Sequence, residues 1–69
     1  MKPDGWYDVI DPRDEAGVYT ISAKIVDGKL ASLLDTEYDG VDGKPVDLLS
    51  CPYINEDGMN FIMGQLNED

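Results

Sequence analysis

Residues 18–38, VYTISAKIVDGKLASLLDTEY, decide the fold of this chain. Tyr19, Ile21, Ala23 and Ile25 alternate with Thr20, Ser22 and Lys24. An extended strand over residues 18–26 therefore carries one apolar and one polar face. Asp27-Gly28 follows, the pair suited to a two-residue type I′ turn in which both central residues need positive φ. Residues 29–38 return as the partner strand, which sets Val26 opposite Lys29 and Ile21 opposite Leu34. A β-hairpin thus lies at the centre of the fold.

Working outward, residues 6–10 (WYDVI) read as a short strand stopped at Asp11-Pro12, and residues 13–17 as a polar connection. Residues 39–45 (DGVDGKP) form a loop. Residues 46–54 read as a strand bent at Cys51-Pro52, because proline cannot donate to a central ladder. The C-terminal stretch supports two readings. Asp57-Gly58 can close a second hairpin that pairs Ile54 with Phe61 and Tyr53 with Ile62. Alternatively Met59, Ile62, Met63 and Leu66 share one face of a helix, with Asn55 as its N-cap. Gly58 and Gly64 each weaken a helix by about 1 kcal/mol relative to Ala, which favours the strands. The expected fold is mainly β, a small antiparallel sheet of four to five strands or a barrel-like domain. The alternative is a β-meander with one C-terminal helix.

The chain has 69 residues, one small domain, with fifteen Asp and Glu against five Lys and Arg. Its formal net charge of -10 exceeds the magnitude of about 2–8 that keeps a small domain soluble. Apolar material for a core is spread along its length: Trp6, Tyr7, Val9, Ile10, Tyr19, Ile21, Ile25, Leu30, Leu33 and Leu34, then Leu48, Leu49, Tyr53, Ile54, Phe61, Ile62, Met63 and Leu66. That density argues against disorder. One cysteine allows no internal disulfide, and no His is present to build a zinc site. The start, MKPDGWYD, lacks the apolar segment of a signal peptide, and no apolar run approaches the ~20 residues of a membrane span. A reducing cytoplasm is the expected setting.

The charge selects the partner. A surface this negative repels nucleic acid and anionic membranes and attracts cations, above all basic protein surfaces. Asp35, Glu37 and Asp39 sit two apart on the returning strand, about 6.7 Å between neighbours. Such a row can occupy phosphate subsites in a protein that grips DNA, where phosphates follow one another every ~3.4 Å of axis per strand. Asp42 extends the row into the loop, and Tyr38 supplies an apolar anchor of the kind that dominates interfaces. These five residues are the expected partner-binding site. Residues 35–40 also begin like an EF-hand loop, but Val46 stands where the bidentate Glu belongs, so the EF-hand is rejected. A looser calcium site of Asp35, Asp39 and Asp42 stays as an alternative.

Catalysis has little to work with. There is no His to serve as base, no activated Ser or Cys, and no glycine-rich phosphate loop. Cys51 is expected to be buried and inert, Trp6 to lie in the core, and Met59 and Met63 to fill it. No cofactor is expected. In composition and size the chain resembles the small acidic inhibitors that phages encode against host nucleic-acid enzymes: anti-CRISPR and anti-restriction proteins and uracil-DNA glycosylase inhibitors. The resemblance is one of class, so no residue carries over from it. It implies a non-enzymatic, DNA-mimicking inhibitor of a DNA- or RNA-binding protein. The rival is a small assembly module that binds a basic partner or itself. Acidic surfaces also mark proteins of salt-rich habitats.

Overall fold

The computed structural model describes residues 2–39, 42–50 and 54–67, the side chains of 36–39 excepted. Four strands and one helix follow one another: β1 (Gly5–Ile10), β2 (Thr20–Val26), β3 (Lys29–Asp39), β4 (Pro45–Asp47) and α1 (Glu56–Leu66). The strands pair in sequence order, each antiparallel to the next, as an open sheet. The helix covers one face. The fold is thus the mainly β meander closed by a C-terminal helix.

The central hairpin forms as its sequence demands. Asp27 and Gly28 have φ of 54° and 74°, the two positive values of a type I′ turn, and Val26 pairs with Lys29. The register beyond it differs from expectation. Ile25 pairs with Leu30, but Lys24 pairs with Ser32, so Ala31 is an extra residue and β3 carries a β-bulge. Leu34 consequently lies opposite Ser22, not Ile21. The one-residue slip exchanges the faces of residues 32–35. Leu33 turns inward and is fully buried, and Asp35 turns inward with it.

The core consists of Val9, Ile21, Ala23, Ile25, Leu33 and Leu48 under Ile62 and Leu66 of the helix. Trp6, expected inside, is 52 % exposed. The period of two in β1 sends Val9 to the core and Trp6 and Asp8 to the open face, where the Lys24 ammonium lies 5.6 Å from the Trp6 ring centroid. Leu49 and Phe61 are exposed as well.

The fourth strand is three residues long, shorter than the expected 46–54. Asp47 ends it: its Oδ1 accepts from the Leu49 N–H at 3.0 Å, and its carbonyl accepts from the Ser50 N–H at 3.1 Å. Those two bonds turn the chain. The expectations for Cys51, Pro52 and Tyr53 fall outside the described residues.

The second hairpin does not form, because its turn residues belong to a helix. Asn55 is the N-cap, with its side chain accepting from the Gly58 N–H at 2.8 Å. Gly58, Ile62 and Leu66 are the buried stripe, and Met59 and Met63 pack beside it. Glu56 and Asp57 in the first turn complement the helix dipole. Packing overrides the low propensity of two glycines. At the other end the Gln65 side chain acts as a strand for the sheet edge: Ile10 N–H donates to its Oε1 at 2.7 Å, and its Nε2 donates to the Ile10 carbonyl at 3.2 Å. Among the described residues no helix is long and apolar enough to cross a membrane.

Candidate functional site

The bulge decides what becomes of the expected acidic row. Asp35 is 6 % exposed and its bonds are internal. Arg13 Nη2 donates to Asp35 Oδ2 at 2.9 Å, and the Tyr19 hydroxyl donates to Oδ1 at 2.5 Å. The same guanidinium grips Asp11, 3 % exposed, with Nη2 at 2.8 Å from Oδ2 and Nε at 3.1 Å from Oδ1. The hydrogen bond to Asp11 drives the already high pKa of Arg13 still higher; partial burial opposes this and Asp35 reinforces it. Two aspartates thus become tolerable inside because one arginine bridges them.

Asp35 therefore presents no outward carboxylate. Glu37, Tyr38 and Asp39 continue along β3, with Asp39 opposite Pro45 in the ladder, and their side chains fall outside the described residues. Asp42 is exposed in the loop that follows. The looser calcium reading loses Asp35 to Arg13, and among the described residues no three acidic or cysteine side chains gather as a ligand set.

A different acidic site is present where the connection from β1 to β2 meets the helix. Asp14 shapes that connection. Its Oδ2 accepts from the N–H groups of Tyr19 at 2.6 Å and Val18 at 3.0 Å, and its Oδ1 from Ala16 at 3.0 Å. These bonds, Tyr19's first, hold its pKa below the ordinary aspartate value. Facing the first turns of α1, the connection encloses a cleft of about 740 Å3. Ile10, Pro12, Ile54 and Phe61 are the apolar residues of its lining, and Asp14, Glu15 and Asp57 are acidic ones. Counting Asp11 and Arg13, which also line it, four acids against one base leave the cleft a formal charge of -3.

Nothing in the sequence points to this cleft: Phe61 is expected in the core or opposite Ile54 in a hairpin, and the structure leaves it 48 % exposed. Phe61 shares the lining of the cleft with Asp14 and Glu15 because α1 packs at Gly58 close to Pro12, a long-range approach with no local signature. Comparison with protein-family models, with curated proteins and with solved structures finds no match to this chain.

Proposed function

We propose that this protein is a non-enzymatic inhibitor of the phage type that binds the basic surface of a DNA- or RNA-processing protein, its carboxylates standing in for phosphates. The observation that carries this reading is the disposition of charge. Among the described residues the ion pairs are both made by Arg13, and both use aspartates that lie inside. Exposed acids remain on every side: Asp4 and Asp8 by β1, Asp27 at the hairpin turn, Asp42 after β3, and Glu56 and Asp57 on the helix. A surface of this sign speeds encounter with a basic protein and selects against other partners. With Asp35 turned inward, the phosphate-like positions on β3 reduce to Glu37, Asp39 and the loop residue Asp42.

Affinity capture tests the proposal. The immobilised protein is exposed to nuclease-treated bacterial lysate in chelator and eluted in steps of salt, then with excess duplex DNA. Nucleic-acid enzymes released by DNA are the expected result. A partner held against DNA defeats mimicry and favours the assembly module, the reading supported by the half-exposed Trp6 on the open face of the sheet.

A further inference from the structure

Resting on that functional reading, we infer that the cleft between the β1–β2 connection and α1 is the docking site for an arginine-bearing segment of the basic partner. Its two chemistries meet at one place. The wall of Ile10, Pro12, Ile54 and Phe61 asks for an apolar stem, and the exposed acids Glu15 and Asp57, with the negative charge of Asp14 beside them, ask for a cation. A long alkyl chain with a terminal positive charge satisfies both. Arginine does so better than lysine, because its planar guanidinium can fork onto a carboxylate and stack on an aromatic face. Phe61 offers that face: it is 48 % exposed, where an unpartnered phenylalanine gains little.

Electrostatics favours this occupant over an anion or a neutral ligand. The guanidinium of Arg13 lines the cleft, but its charge is committed to Asp11 and Asp35, so it does not repel an incoming cation. The bonds from three backbone N–H groups keep Asp14 ionised. The helix N-terminus brings a partial positive charge of about half a unit, which Glu56 and Asp57 together outweigh. At about 740 Å3 the cleft has the size of a site for several residues of peptide.

The test uses a fluorescent nonapeptide of alternating arginine and leucine, with a citrulline-and-leucine peptide as its uncharged isostere. Binding is followed by anisotropy at 0.15 M salt. Two double variants separate the cleft from the overall field: E15Q/D57N inside it and D4N/D27N away from it and from the phosphate-like positions. Each removes two charges from -10 and leaves -8, so a long-range field treats them alike. The expected result is a loss of about tenfold in affinity for E15Q/D57N and less than about twofold for D4N/D27N. The citrulline peptide is expected to bind no better than E15Q/D57N binds the arginine peptide. Phe61→Ala, at an exposed position, is expected to weaken binding while melting like the parent. Equal losses in both double variants, or full affinity in Phe61→Ala, overturn the cleft as the docking site. DNA-competable capture of a partner that persists in E15Q/D57N also overturns it while leaving the mimicry intact. A cleft-dependent peptide with a partner that ignores DNA supports the cleft and defeats mimicry.

Discussion

Two glycines of the helix, identical in propensity, are expected to respond to alanine with opposite signs. At Gly58 an added Cβ would lie 2.6 Å from Ile54 Cγ2 and 3.2 Å from Pro12 Cγ, both on stiff side chains. At Gly64 nothing lies within 4 Å. Gly64→Ala should therefore gain about 0.5–1 kcal/mol of stability. Gly58→Ala should lose about 1–2 kcal/mol, the overlap outweighing the same helical gain. Urea titration of the two variants reads both signs. Arg13 is the other residue on which much depends. Its removal leaves Asp11 and Asp35 buried without a cation, and truncating one partner of such a cluster costs about 3–5 kcal/mol. Water reaches the guanidinium, whose side chain is 37 % exposed, so Arg13→Ala is expected at the lower end, about 3 kcal/mol. Adding Asp35→Asn should recover part of that loss, since Asn still accepts from Tyr19 and carries no charge. A double variant as unstable as Arg13→Ala would show that lost packing, not the buried charge, causes the effect.

At the scale of elements, the β-bulge has the largest consequence and was the least legible. Strand alternation and Asp27-Gly28 announce the hairpin unaided, whereas Asn55 and the 3.6-residue spacing offer the helix only as the alternative to a second hairpin, because Gly58 and Gly64 weigh against it. Nothing in the residue type of Ala31 demands an extra position. The register is set by burial: without the bulge Leu34 would face inward and Leu33 outward, leaving the helix a differently shaped surface. The same slip takes Asp35 out of the expected row, so a local irregularity undid part of the candidate site. Deleting Ala31 should leave a regular ladder, with Leu30, Leu33 and Asp35 still inward, and change stability by no more than about 1 kcal/mol. Deleting Leu34 instead puts Asp35 on the outer face, away from Arg13 and Tyr19, and should cost several times more. Thermal melts of the two deletions compare them directly. The Asp14 connection carries a pH dependence of known sign. Its carboxyl pKa is lower folded than unfolded, so its contribution is present above the unfolded value and is lost as pH falls through the folded one. Amide shifts of Ala16, Val18 and Tyr19 followed in acid should move together, and Asp14→Ala should abolish that shared transition.

At the scale of the whole molecule, the chain folds compactly against its own charge. Its radius of gyration of 11.6 Å is close to the value of about 11 Å expected for this length, despite a net charge of -10. The principal extents are 34 × 27 × 19 Å. At 0.01 M salt the Debye length is about 30 Å, so every surface carboxylate feels the others across the molecule; at 1 M it is about 3 Å and only neighbours interact. Sodium chloride should therefore raise the melting temperature, by about 4–8 °C for each kcal/mol of repulsion relieved in a domain of this size. The opposing effect, screening of attractive ion pairs, acts among the described residues on Arg13 and its two aspartates, whose carboxylates are buried. Calcium chloride at matched ionic strength should then give the same rise as sodium chloride. A larger rise with calcium would mark a specific site that binds the folded state alone, and a fall with sodium chloride would mean that attraction, not repulsion, governs the surface. A basic partner relieves the same repulsion by contact. Partner affinity and salt stabilisation should accordingly decline together as surface acids are neutralised, because both draw on one unfavourable field in the free protein.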